Sequence, residues 1–519
     1  MKNIIYLIIL SVFSIFINQY IANRGIFPID SFLIFDAAYN INSGNHPFKD
    51  YWLITGPFVD YIQSLLFLIF GISWTSYVLH ASLLNMALTV FSFYFFLNIG
   101  LKNFYAFIYS LGVAILAYPS IGSPFIDHHS VIFCVMACFS VSLAILLKKN
   151  LFWILTPIFI TFSFFSKQIP SPYITVLLFV LISIYYFNTT SEKKNILKNL
   201  FFGGFISFVL IASVFLINEI PVKNFLVQYI LYPLSLGEER IDKLNIDFKN
   251  FIMQFKYIYI TLIPLAISTF FLLKIKKKDL AKKNDLIVSF IFLGLVLILV
   301  YCQLLTKNQV LIFFLIPLSA AYSHAYVIKY FNKKYLLYFI ITIFIFSTAK
   351  YHQRFNENRK FIELEKADLD LAVDASQLDK RLRGLQWITP HYPHKPLEEI
   401  NFLIDARNIL SQDMKEKIIV TDYQFFSSLL NNEFASPNKW YDNLSIPDKK
   451  NKYYYVYKNF FLDKIKKNKI KHIYFIGKGK NEMYFFRELF NKNECIVSNQ
   501  FNESGSLLSS FDISKCKLI

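Results

Sequence analysis

Long apolar stretches separated by short charged ones fill the first 350 residues of this 519-residue chain. Leu/Ile/Phe runs long enough to cross a hydrocarbon core of roughly 30 Å begin near Ile4, Ser76, Phe104, His129, Leu151, Pro172, Leu200, Tyr257, Leu286, Val310 and Tyr335. They predict about eleven spans. The first run follows Met1-Lys2-Asn3 as a signal peptide would, but no small-x-small cleavage site precedes Arg24, so it reads as a retained helix. After His352 the pattern changes to mixed charge with short apolar runs, as in Lys417-Ile418-Ile419-Val420-Thr421 and His472-Ile473-Tyr474-Phe475-Ile476. These strand-like runs alternate with helical patterns over Glu398 to Leu410 and Asn481 to Leu489. The expected fold is a polytopic α-helical membrane domain over residues 1–350 and a soluble α/β domain over 351–519.

A shorter apolar segment, Pro57 to Gly71, carries Asp60 and Gln63 and has the length of an interfacial helix. Lysines decide how to count it. With this segment at the interface and Lys2 inside, Lys102, Lys148-Lys149, the Lys193 to Lys198 cluster, the Lys274 to Lys283 run and Lys329 to Lys334 all fall inside. Residues 22–75, 119–129, 218–256 and the whole C-terminal domain then lie outside. The 53 Lys+Arg against 35 Asp+Glu, formally +18, therefore read as lysines retained at the inner face rather than as a nucleic-acid surface. An apolar content of 55% with only 17% charged residues excludes a disordered chain or a disulfide framework.

The first outer loop concentrates the chemistry. It runs Asp30-Ser31-Phe32-Leu33-Ile34-Phe35-Asp36 to Gly44, then His46-Pro47-Phe48-Lys49-Asp50-Tyr51-Trp52, then Gly56-Pro57 and an apolar run closing Leu68-Ile69-Phe70-Gly71. The spacing predicts a helix starting near Asp30, a stop at Gly44, a turn and a second, interfacial helix. An acid at the bilayer edge among aromatic residues can take a proton from a hydroxyl substrate; Asp30 equally suits the N-cap of that helix. Asp127, in Pro119 to His129, offers the same pair of roles. Asp127-His128-His129 supplies three ligand types for a metal, yet consecutive residues at a helix start splay around its axis. A divalent metal is not favoured, and no other cofactor is implied.

The order of these features resembles the membrane glycosyltransferases of the GT-C superfamily, nearest the bacterial protein mannosyltransferase and aminoarabinose transferase group. The resemblance covers residues 1 to about 350 by topology, with motif support in 24–75 and 119–130. It implies about eleven transmembrane helices plus interfacial helices, an extracytoplasmic α/β domain, and a bacterial inner-membrane location with the active site on the periplasmic side. It further implies transfer of a sugar from a polyprenyl-phosphate donor to a hydroxyl of a glycan, lipid or protein acceptor, with inversion. Asp30 matches the family's first-loop acidic residue, the proposed catalytic base, although Ser31 follows where a second acid is usual. Asp127 matches the second-loop acid, with His128 and Asp50 as further substrate contacts.

A lipid-phosphate leaving group needs outer cations. Lys167, Arg240 and Lys307 are the candidates, each of which can also be read as snorkelling to the headgroups; family members carry basic residues near the first two. Walker, Gly-x-Ser-x-Gly and Cys-x-x-Cys motifs are absent, and Gly477-Lys478-Gly479-Lys480 has the position but not the spacing of a phosphate loop. Two rival classes are a polysaccharide ligase or polymerase and a non-enzymatic glycan transporter; spans nearly free of charge favour chemistry at one face. Cys134, Cys138 and Cys302 read as buried apolar residues. Cys495 and Cys516, in an oxidising compartment, are expected to form a disulfide.

Overall fold

A helix forms at each of the eleven apolar runs, and their lengths sort them. In a computed structural model, residues 2–519 are described except 190–191, 243, 245, 275–279, 307–311, 433–435, 443, 478–485, 487–488, 490–495, 502–506, 515 and 517–519. The helices are α1 (Lys2–Ala22), α2 (Pro28–Ser31), α3 (Phe35–Asn42), α4 (Phe58–Phe70), α5 (Trp74–Asn98), α6 (Asn103–Leu116), α7 (Ile126–Leu147), α8 (Asn150–Ser166), α9 (Ser171–Asn188) and α10 (Lys193–Ile217). They continue with α11 (Val222–Phe225), α12 (Tyr232–Asp242), α13 (Lys256–Lys274), α14 (Leu280–Thr306), α15 (Leu315–Tyr330) and α16 (Lys334–Tyr351). Among the described residues, eight are long and apolar enough to cross a membrane: α1, α5, α7, α9, α10, α13, α14 and α16. The chain is thus a helical protein with the composition of a multi-pass membrane protein.

Packing follows composition. α7, rich in Ser, Ala and Cys, is buried along almost its whole length, and α15 is buried from Leu315 to Val327. Small side chains let helix backbones approach closely where lipid offers no hydrophobic drive for association. α10 does the opposite: Phe201 and Leu216 are 76% and 79% exposed, on a Phe-rich face that only an apolar surrounding would tolerate. α4, at 13 residues, reaches about 20 Å and falls short of a span; it buries Asp60 and Gln63 near its start and exposes Leu68 to Phe70 at its end.

The first outer loop departs from the expected single helix. Pro28 occupies a first helical position, so α2 begins before Asp30, with Phe27 as its N-cap and no side-chain cap. The helix then breaks at Phe32 to Ile34, because the core draws these residues in: the Ile34 amide donates to the Tyr77 hydroxyl at 3.2 Å, and the Phe32 ring packs on Trp74, Trp387 and Phe425. α3 resumes and ends before Gly44, whose φ of +92° suits glycine.

After α16 the chain forms a β-hairpin pair, β1 (Val373–Asp374) with β2 (Gln386–Trp387), then α17 (Pro396–Gln412), β3 (Lys417–Thr421), α18 (Phe426–Leu430), α19 (Tyr454–Lys467), β4 (His472–Gly477), β5 (Ile496–Phe501) and β6 (Leu507–Asp512). The larger sheet has the order β3-β4-β6-β5, with β3 parallel to β4 and the other pairs antiparallel. The expected strands at 417–421 and 472–476 are present; the expected helix at 481–489 lies almost wholly outside the described residues.

This part is fastened to the first outer loop. Gly25 and Ile26 donate to the carbonyls of Gln386 and Ile388, each at 3.0 Å, and Asp36 accepts from the Ser427 and Ser428 amides at 3.0 Å and the Ser428 hydroxyl at 2.8 Å. Burial raises the Asp36 carboxyl to about 6 against the lowering effect of those bonds. Lys439 reaches both oxygens of Asp60, at 2.6 and 2.8 Å, in a fully buried ion pair.

Candidate active site

Asp30 lies along the chain between the Gly25–Ile26 and Asp36 fastenings, half-buried on a one-turn helix. No described residue donates a hydrogen bond to its carboxyl, so the capping role is not what holds it there. Burial, then the charges of Asp127 and Glu363, raise its pKa from 3.8 to about 7; Lys167 lowers it, and Asp422 raises it by a smaller amount. Charges from four chain segments therefore act on this carboxyl: the start of α7, the residue after α8, the connection after α16 and the residue after β3. A carboxyl poised near neutrality, with free lone pairs, can act as a general base.

Asp127 is not an N-cap either. Phe125 holds that position, and Asp127 sits in the first turn of α7, ion-paired with Lys167. The helix start favours its negative charge, and the pair places a cation beside Asp30. Lys167 follows α8 directly, held by the neighbouring Gln168, whose amide donates to the Ile54 and Tyr229 carbonyls at 2.8 Å.

The other residues singled out from the sequence scatter. His128 turns inward, its Nε2 3.1 Å from the Ala117 carbonyl oxygen and its Nδ1 buried without a partner among the described residues. His129 points elsewhere, toward the Tyr118 hydroxyl at 2.7 Å and His80 at 2.9 Å, and His80 in turn meets Gln63 at 3.1 Å. The described residues contain no group of three or more His, Cys, Asp or Glu that could hold a metal. Asp50 serves its own turn, accepting from the His46 amide at 3.0 Å and pairing with Lys464 at 3.2 Å. Arg240 lies in the last turn of α12 and forms no ion pair with another described residue. Lys307, Lys478 to Lys480 and Cys495 lie outside the described residues. Cys516 is disulfide-bonded, and Cys134, Cys138 and Cys302 are free and buried.

Three features escaped the sequence reading. Glu363 stands in a mixed-charge stretch with no distinguishing pattern. Asp422 did carry a signal, since it directly follows a strand whose carboxyl end faces a cleft. Arg359, 1% exposed, donates to the carbonyls of Arg24 (3.1 Å), Pro119 (3.1 Å) and Ile121 (3.2 Å), tying the two outer loops together. Burial pushes this guanidinium down to about 9. A lysine-rich groove lined by Lys49, Lys223, Lys464, Lys467 and Asp463 also opens beside Trp52 and Phe460, with a volume of about 440 Å³; Lys49 pairs with Glu219 and Lys464 with Asp50.

Compared with known proteins, the chain matches no protein-family model and no curated protein sequence.

Proposed function

We propose that this chain is a GT-C-type membrane glycosyltransferase that moves a sugar from a polyprenyl phosphate to a hydroxyl acceptor at the outer face of a bacterial inner membrane. The convergence of Asp30, Asp127 and Lys167 carries the reading. In it, about eleven helices cross the bilayer, including α6 and α8, which like α4 are shorter than a full span; α4 is set apart at the interface by its buried Asp60 and Gln63, and the C-terminal sheet stands on the periplasmic side.

The chemistry is a single displacement. The acceptor oxygen attacks the anomeric carbon as Asp30 takes its proton, the bond from that carbon to the phosphate oxygen breaks, and the lipid phosphate leaves from the opposite face with the electron pair. Configuration inverts. Lys167, positioned by Asp127, stabilises the charge that collects on the leaving phosphate. The lysine groove gives an anionic donor a second cationic surface at the same face.

The test is donor consumption. Purified protein given a radiolabelled polyprenyl-phosphate sugar should release lipid phosphate when a hydroxyl acceptor is added, and the Asp30→Asn variant should not. Absence of release with every donor sugar and acceptor class supplied defeats the reading.

A further inference from the structure

The cleft beside Asp30 has a chemical character of its own. It lies at the carboxyl ends of the parallel strands β3 and β4, where open α/β sheets present ligands, and has a volume of about 130 Å³. Its floor and walls include Thr421, Asp422, Asp442, Trp440, Tyr441 and Gly477, and the first outer loop closes it through Ile29, the neighbour of Asp30. A second cavity of about 60 Å³ shares Thr421, Gln424 and Tyr441 with it and continues toward α3. Both exceed the roughly 10–15 Å³ that one water requires.

Unpartnered polar atoms mark this space. Trp440 is 7% exposed, Tyr51 5% and Asn438 2%, yet Trp440 Nε1, the Tyr51 hydroxyl and Asn438 Oδ1 have no hydrogen-bond partner among the described residues. Asn40 Oδ1, on the wall of the smaller cavity, has none either. Buried polar groups left without partners are costly, and a ligand that supplies both donors and acceptors removes that cost. Charge narrows the ligand further. Asp36, Asp422 and Asp442 line the two cavities, and the lysine among their lining residues, Lys439, is committed to Asp60. An anionic ligand would meet repulsion here, whereas an uncharged one rich in hydroxyls would find carboxylates and amide oxygens as acceptors, an indole N–H as donor, and the aromatic side chains of Trp440 and Tyr441 for its apolar face.

We infer that this cleft binds the acceptor, and that the acceptor is a neutral saccharide with a hydroxyl directed past Ile29 toward Asp30. The inference rests on the transferase reading for the fate of that hydroxyl, while the binding itself does not depend on turnover. The lipid phosphate is thereby assigned to a different surface.

Binding is therefore the measurement. The full chain in detergent micelles is titrated with mono- to trisaccharides of hexoses, N-acetylhexosamines and deoxyhexoses and with an uncharged Ser/Thr peptide, with tryptophan fluorescence and saturation-transfer NMR as readouts. A saturable saccharide signal is expected, weakened about tenfold by Trp440→Phe or Asp422→Asn, each of which removes one hydrogen-bonding or charged partner. Melting temperatures close to wild type establish that the variants fold, and Tyr51→Phe provides a third, milder variant. No saturable saccharide binding, preferential binding of the peptide, or wild-type affinity in all three cleft variants overturns the inference. Saccharide binding without any donor turnover would defeat the transferase reading and leave the cleft assignment standing; turnover without saccharide binding would do the reverse.

Discussion

Replacing Asp30 by Asn probes the base directly, because the amide preserves size and cannot accept the proton. Burial and neighbouring carboxylates hold this carboxyl at about 7 instead of 3.8, and each pKa unit corresponds to about 1.4 kcal/mol. That bounds the cost of ionising Asp30 in the folded protein at about 4 kcal/mol; water reaching the half-buried group reduces the expected share to about 1–2 kcal/mol. The folded state binds the proton more tightly than the unfolded chain, so the penalty is absent below about pH 4, grows toward about pH 7 and is complete above it. Asp30→Asn should therefore be more stable than wild type at about pH 8 and lose that advantage at about pH 4. Turnover should move the other way, falling about 10²–10⁴-fold at alkaline pH. In wild type, log kcat/KM should rise with unit slope up to about pH 7 and then level, and the variant should lack this limb. The neighbours set the sign of its displacement: Glu363→Gln removes a like charge and moves the limb to lower pH, while Lys167→Met removes an opposite charge and moves it higher. Radiolabelled donor turnover against pH, with thermal unfolding in detergent, measures both halves. An Asp30→Asn enzyme keeping more than half of wild-type turnover, or a wild-type profile flat across the acidic range, would refute the base assignment.

Lys439→Met leaves Asp60 buried without its cation, which should cost about 3–5 kcal/mol and expose the C-terminal part to limited proteolysis; the double variant with Asp60→Leu should recover much of the loss. A reporter active only outside the cytoplasm should function when fused after Asp127 or Glu398 and fail after Lys149 or Lys283, and a reversed result at Lys283 would remove the shared-face site. A non-reduced digest should yield the peptides of Cys495 and Cys516 joined; recovery of Cys516 bound to any other partner would contradict the pairing.

The helices and the parallel strands β3 and β4 were legible because each is specified by its own residues. A Leu/Ile/Phe run becomes a helix wherever it is long enough, and Ile418-Ile419-Val420 becomes a strand in nearly any setting. The acidic loop was legible as chemistry but not as geometry. Pro28 starts α2 ahead of Asp30, and the contacts of Phe32 and Ile34 with Trp74, Tyr77 and Trp387 interrupt what the local pattern reads as one helix. Those partners lie more than 40 residues away, so no local signal could announce them. Asp127 with Lys167 was legible as two separate candidates, while Glu363 and Asp422 reach Asp30 only because the C-terminal part folds back on the loop. Asp50, read as a substrate contact, is engaged by its own turn and by Lys464 from α19.

The fold-back also divides charge between the two sets of clefts it forms. The acidic side chains of the cleft come from the residue after β3, from the segment before α19 and from α3, whereas the lysine groove joins the first outer loop to α11 and α19. Asp30 belongs to neither wall: burial first, then Asp127 and Glu363, raise its pKa, Lys167 lowers it, and Asp422 adds a smaller upward push. A base at about 7 needs this opposition. Burial raises it in either case; without Lys167 it would hold its proton to higher pH, and without the neighbouring acids it would ionise at lower pH. Because Asp422 and Glu363 both come from the chain beyond α16, any change that loosens the Asp36 or Asp60 seams should lower the pKa of Asp30 as it opens the cleft. The C-terminal part thus acts on the chemistry through electrostatics as well as through its shape, and a seam variant that still folds should show its acidic limb displaced to lower pH.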